Sequence, residues 1–131
     1  MDVDQMKVLF VCVKNTARSV MAEAIFNSLA KKWKAESAGL QKAEKIDSKV
    51  RQILEKNGLK AKEKPRSIEE VKLDEYDLIV AVCDESCLIL PSKRVLRWHI
   101  EDPVGKGDQA YEKAFKELEE KIKKLIKELE G

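Results

Sequence analysis

Three groups of reactive side chains stand at the ends of apolar runs. Cys12 closes Val8-Leu9-Phe10-Val11 and is followed by Val13-Lys14-Asn15-Thr16-Ala17-Arg18-Ser19. Cys83 closes Tyr76-Asp77-Leu78-Ile79-Val80-Ala81-Val82, and Cys87 comes four residues later in Asp84-Glu85-Ser86-Cys87. Asp102-Pro103 follows a third run, Val95 to Ile100. Together these offer a thiol nucleophile, a cation able to hold two anion oxygens, a carboxyl group able to give up a proton, and a pair of further thiols.

The elements that must place Cys12 are readable around it. Val8 to Val11 is β-branched and aromatic, as a buried strand requires. From Met21 the apolar residues Met21, Ala22, Ile25, Phe26, Leu29, Ala30 and Trp33 recur at helical spacing. Cys12 then ends a strand and Arg18 begins a helix. Residues Val13 to Ser19 form the loop between, whose backbone N–H groups can turn inward. The helix start adds unpaired N–H groups and a positive dipole end. Such a loop binds a tetrahedral oxyanion over the sulfur. A helix N-terminus or nearby cation lowers a thiol from its usual ~8.5 by about one to several units, so thiolate character is expected at Cys12. Ser19 can donate a hydrogen bond to that thiolate. The plainer alternative is a structural cysteine with Arg18 on the surface. Cys-x5-Arg alone would not decide between them; the preceding strand, the following helix and the serine favour the reactive site.

This stretch resembles the active-site loop of the low-molecular-weight protein tyrosine phosphatase superfamily, which includes the thioredoxin-coupled arsenate reductases. Matching elements run from Lys7 to the final helix. Lys14 stands where the family usually has glycine, and Ala17 where relatives often have cysteine. Asn15 tolerates a left-handed backbone and is expected to carry the turn. The resemblance implies an α/β three-layer sandwich, a four-stranded parallel sheet flanked by helices, with the Cys12 loop at the strands' carboxyl edge. Open α/β sheets bind ligands at that edge.

The rest of the chain agrees with one domain over residues 1–131. Its 131 residues suffice for a core, and the 44% hydrophobic fraction opposes disorder. Net charge is only +2, so no general basic field for nucleic acid is expected. No apolar stretch is long enough to span a membrane and no signal peptide is visible, so a cytoplasmic location is expected. A monomer is expected. The 38% charged fraction is compatible with a thermophilic source.

Trp33 to Ser37 reads as a strand closed by Ala38-Gly39. Asp47 or Ser48 can cap a helix with Val50, Ile53 and Leu54 inward, stopped by Asn57-Gly58. Lys60 to Arg66 is basic and contains Pro65, and reads as a solvated connection. Ser67-Ile68-Glu69-Glu70 resembles a capping box. Val95 to Ile100 reads as a third buried strand, with Arg94 and Arg97 near its ends or on an exposed face, and Gly105 to Asp108 as a loop. Tyr111, Ala114, Phe115, Leu118, Ile122, Leu125, Ile126 and Leu129 form the stripe of a last amphipathic helix. Strands alternating with helices imply a parallel sheet.

In the superfamily an Asp-Pro beyond a strand supplies the general acid, which the resemblance assigns to Asp102. Glu101 is the competing carboxylate. His99, the lone histidine, reads as a strand residue. If Asp84 to Leu88 forms a helical turn, Cys83 and Cys87 share a face with Cα atoms roughly 6 Å apart, which a disulfide accepts. Two structural cysteines remain the alternative reading; zinc is disfavoured by the shortage of ligands. Cys12 with this pair resembles the three-cysteine relay of the thioredoxin-coupled arsenate reductases. That implies reduction of arsenate to arsenite, with thioredoxin or a similar dithiol as partner and no bound cofactor. The second reading is a phosphatase for phosphotyrosine or a small phosphate ester, using Cys12, Arg18 and Asp102. Against it, the phosphatases usually carry an aromatic residue after the Asp-Pro, and here Val104 follows. Some members hold potassium near the loop. Asn15, Glu23 and Ser37 stand at matching positions, but other expected ligands do not, and no metal is assigned.

Overall fold

The structure, a computed structural model, describes residues 5–83 and 95–131. Strand β1 (Lys7–Cys12) leads into helix α1 (Arg18–Leu29), then β2 (Lys34–Gly39) and α2 (Ser48–Lys56). Two short 3-10 turns follow, Ile68–Glu70 and Leu73–Glu75, then β3 (Leu78–Cys83), β4 (Val95–His99) and the long α3 (Asp108–Glu130). All strand pairings are parallel, in the order β2-β1-β3-β4. This is the expected α/β sandwich.

Alternation along β1 divides the core. Val8 and Phe10 face α1, α2 and α3, while Leu9 and Val11 face the 3-10 turns, where Ile68, Val71, Leu73 and Tyr76 cover them. Among the described residues, the three α-helices lie on one face and the second layer is built from these tighter turns. Phe10 sits at the centre of the helical side, its ring 5.8 Å from those of Phe26 and Trp98. Fully burying side chains of this size contributes roughly 1.5–3 kcal/mol each. The stripe Tyr111, Ala114, Phe115, Leu118, Ile122 and Leu125 of α3 packs into the same core, so that helix serves its own sheet.

Local signals set the ends of α2. The Asp47 carboxylate accepts the Lys49 N–H at 2.8 Å. At the other end Gly58 takes φ +75° and the Leu59 N–H returns to Leu54 O at 2.7 Å. Glu70 reaches back to the Ser67 N–H at 2.9 Å, as the capping-box spacing requires.

Two expectations are corrected. Val95 to Ile100 is not a buried strand throughout: β4 lies at the sheet edge, with Leu96, Arg97 and His99 exposed and Ile100 buried just beyond it. An edge position leaves one flank and much of one face to solvent, which an apolar run alone does not reveal. The Lys60–Arg66 connection is a loop, but not a solvated one. Ala61 is buried, and the Lys62 and Arg66 side chains fold back onto the sheet edge. The readings placed on Asp84 to Leu88, on Cys87 and on Arg94 lie outside the described residues.

Candidate active site

The Cys12 loop is shaped by its carbonyl groups. Cys12 O accepts from Leu40 N at 3.0 Å, Val13 O from Gln41 N at 2.8 Å and Thr16 O from Asp47 N at 3.1 Å. With these oxygens held outward by neighbouring backbone, the loop's N–H groups are free to face inward. Asn15 is the turning point, with φ +59°, the one non-glycine residue in the left-handed region among those described. Lys14 needs no such backbone and projects into solvent. Gly39 leaves room for the turn.

The sulfur lies at the floor of this loop. Cys12 is buried and a free thiol. Its Sγ receives the Asn15 N–H at 3.3 Å and lies 2.8 Å from Ser19 Oγ. Helix α1 begins at Arg18, and no side chain among those described caps its start, so its first N–H groups remain available to an anion.

Arg18 is only 3% exposed. One guanidinium nitrogen donates to Ile100 O at 2.9 Å, and another lies 3.8 Å from Asp102 Oδ2. Ile100 is the residue just past β4, so the strand end that carries Asp102 also anchors the arginine. The Asp102 side chain is 44% exposed, and its Oδ1 accepts the Val104 N–H at 3.1 Å. Cys12, Lys14, Thr16, Arg18, Asp102 and Val104 line one cavity of about 310 Å³. Glu101 lies outside this lining, its carboxylate 2.6 Å from Lys106 Nζ. The structure therefore brings Cys12, Arg18 and Asp102 together and turns Glu101 away.

Cys83 ends β3, next to β1, with Val11 beside Ala81 in register. It is buried and disulfide-bonded, unlike Cys12. Its strand end shares the carboxyl edge of the sheet with Cys12.

A second set of residues reaches the loop from behind. Lys62 Nζ donates to Asn15 Oδ1 at 2.8 Å, to Ser37 O at 2.9 Å and to Ser37 Oγ at 3.1 Å, and lies 3.8 Å from a Glu23 carboxylate oxygen. Ser37 Oγ also hydrogen-bonds Glu23. The oxygens of Asn15, Glu23 and Ser37 thus surround an ammonium group belonging to the chain itself. Burial draws Lys62 below the ordinary lysine pKa, with the Glu23 charge opposing and Arg66 adding to the fall. Arg66 donates its backbone N–H to Asn15 Oδ1 at 2.9 Å and its guanidinium to Glu36 at 3.0 Å. Burial and the hydrogen bond to Glu36 together hold the neighbouring Tyr76 hydroxyl up at about 12. Of this cluster the resemblance marks Asn15, Glu23 and Ser37, while nothing in the sequence points to Lys62 or Arg66.

A sequence model of the family described as low molecular weight phosphotyrosine protein phosphatase matches residues 7–131. The crystal structure of an arsenate reductase from Archaeoglobus fulgidus superposes with a TM-score of 0.88 at 60% identity, covering 91% of this chain and 98% of that one. A thioredoxin-dependent arsenate reductase of Corynebacterium glutamicum gives a TM-score of 0.73 at 26% identity, over 94% of this chain and 61% of that one. The glutaredoxin arsenate reductase of Synechocystis is 29% identical over 128 residues, 92% of this chain and 95% of its own length. The strand-to-helix cysteine loop and the parallel sheet that carries it are those of a common fold, and the chain belongs to the low molecular weight phosphotyrosine protein phosphatase family.

Proposed function

We propose that this protein is an arsenate reductase that uses Cys12 as nucleophile and the Cys83/Cys87 pair as a disulfide relay. The observation that supports the reading is the pairing of β1 with β3, whose carboxyl ends carry Cys12 and a second buried sulfur, Cys83, on one edge of the sheet. A phosphatase needs Cys12, Arg18 and an acid, but has no use for that second sulfur. The 60% identity with a protein named arsenate reductase supports the same choice.

Residues Val13 to Ser19 hold the arsenate oxygens, with Arg18 matching two of them at once. The Cys12 thiolate attacks arsenic, and Asp102 gives its proton to the departing hydroxide. Once its disulfide has been reduced by the external dithiol, Cys83 as thiolate attacks Cys12 Sγ. The S–S bond forms, the S–As bond breaks, and its electron pair stays on arsenic, which leaves as arsenite. Cys87 next attacks Cys83, frees Cys12 as thiolate and leaves a Cys83–Cys87 disulfide. An external dithiol reduces that bond, which implies a reducing compartment such as the cytoplasm. No helix among the described residues is long and apolar enough to cross a membrane.

Thioredoxin is the proposed partner, because the product of the relay is a protein disulfide that another dithiol can exchange. The test is arsenite formation with thioredoxin, its reductase and NADPH, run beside glutaredoxin with glutathione and beside hydrolysis of p-nitrophenyl phosphate. Repeated turnover with thioredoxin is expected. Ester hydrolysis without arsenite would establish the phosphatase reading, and turnover with glutaredoxin alone would replace the partner.

A further inference from the structure

Lys62 takes no part in the steps above, yet its side chain is only 16% exposed and its ammonium is bonded toward the nucleophile's loop. The hydrogen bonds from Lys62 through Asn15 to Ser19 have only one consistent polarity. Asn15 Oδ1 receives both the Lys62 Nζ and the Arg66 backbone N–H, at 2.8 and 2.9 Å. Neither donor can accept, so the atom between them is the carbonyl oxygen and not the amide nitrogen. Asn15 Nδ2 therefore points the other way and donates to Ser19 Oγ at 2.7 Å. Having accepted that bond, Ser19 keeps its own hydrogen for Cys12 Sγ, 2.8 Å away, whenever the sulfur is thiolate and has no hydrogen to give. A thiolate at Cys12 then accepts two hydrogen bonds, one from Ser19 and one from the Asn15 N–H. A sulfur that accepts and does not donate is favoured as thiolate.

We propose that Lys62 is a positioning residue for Cys12: it fixes the Asn15 amide, and through Ser19 keeps a donor aimed at the sulfur. Remove the ammonium and Glu23, Ser37 O and Asn15 Oδ1 are left as acceptors grouped round an empty space. The Asn15 amide is then a donor able to turn toward them, and turning costs Ser19 its direction; the Arg66 N–H and the bond to Ser19 oppose the turn. The inference rests on Cys12 being the nucleophile, but not on arsenate being the substrate.

The test is the rate of Cys12 alkylation by iodoacetamide against pH, resolved by peptide mass spectrometry, in wild type, Lys62→Met and Lys62→Gln. The other charges facing Cys12 are Arg18 and Lys14 of its own loop and helix and Asp102 beyond β4; those facing Lys62 are Glu23, Glu36 and Arg66. All of these remain in each variant. Lys62→Met should move the half-maximal pH of labelling upward by about one unit, slowing labelling about tenfold on the acid side and leaving the high-pH plateau unchanged. Lys62→Gln, which keeps an N–H donor, should recover most of that loss. A Lys62→Met profile superimposable on wild type overturns the inference, and so does a Lys62→Gln loss equal to that of Lys62→Met. If Lys62→Met does not fold, Lys62→Met combined with Glu23→Gln removes the stranded charge and carries the same readout; a wild-type profile there also overturns it. Arsenite formation by the wild type, measured separately, tests the reductase reading alone.

Discussion

Gly39 and Asn15 are pressed together backbone to backbone. A Cβ on Gly39 would lie 2.5 Å from the Lys14 carbonyl carbon and 2.7 Å from the Asn15 nitrogen. Neither neighbour is a side-chain tip that could swing away, so the end of β2 and the oxyanion loop must part if anything is added. Gly39→Ala should leave the fold intact and push the loop outward. Because small misplacements of reacting groups cost about a hundredfold, a similar loss in turnover is expected. Wild-type kinetics in a folded Gly39→Ala protein would contradict the contact.

The carboxylates in Glu101-Asp102 face different neighbours, Lys106 for Glu101 and Arg18 for Asp102. Asp102→Asn should slow the chemical step by roughly two to four powers of ten. Glu101→Gln should leave it close to wild type. Rapid-quench measurement of the first turnover separates this step from reduction of the disulfide, and equal losses in the two variants would remove the assignment.

The relay predicts different trapped species from two substitutions. Cys83→Ser should stop before any disulfide with Cys12 forms. Cys87→Ser should release at most one arsenite per protein and accumulate a Cys12–Cys83 bond, visible on non-reducing peptide maps. Repeated thioredoxin-driven turnover by Cys87→Ser is the outcome that defeats the proposed order.

Glu130, at the end of α3, clasps the turn between α1 and β2 by accepting the N–H groups of Lys31, Lys32 and Trp33. Burial raises its pKa, but these backbone bonds outweigh that and hold it below the usual glutamate value. A carboxylate with a depressed folded pKa adds stability above its unfolded value of about 4.3, and loses it as pH falls through the folded one. Glu130→Gln should lower Tm by a few degrees at pH 7, and the gap to wild type should close as the pH is taken below about 4. A gap that does not vary with pH would mean the charge contributes nothing.

What could be read from the chain depended on how far apart the interacting residues lie. The strand, the loop from Cys12 to Arg18 and the helix after it are contiguous, so periodicity and turn chemistry located them. The stripe on α3 was equally local. The edge position of β4 depends on strand order, and its apolar run looked like a buried strand. Which of Asp102 and Glu101 faces Arg18 depends on how the chain turns after β4, which the sequence does not show. Lys62 and Arg66 went unrecognised because Asn15 is distant in sequence and nothing near either lysine or arginine announces the contact.

The register of β1 also orders how the molecule assembles. On one flank β1 pairs with β2 (Lys7 beside Lys34), and on the other with β3 (Val8 beside Leu78). Closing the shorter loop costs less chain entropy, so the β1-α1-β2 unit has the kinetic advantage. That early unit contains Cys12, Arg18 and the glycine behind them. Cys83 and Asp102 join only when the later strands dock. Pulse-labelled hydrogen exchange during refolding should protect β1 and β2 amides before those of β4. A chain emerging from synthesis in the same order would expose the Cys12 sulfur before Cys83 and Asp102 are in place.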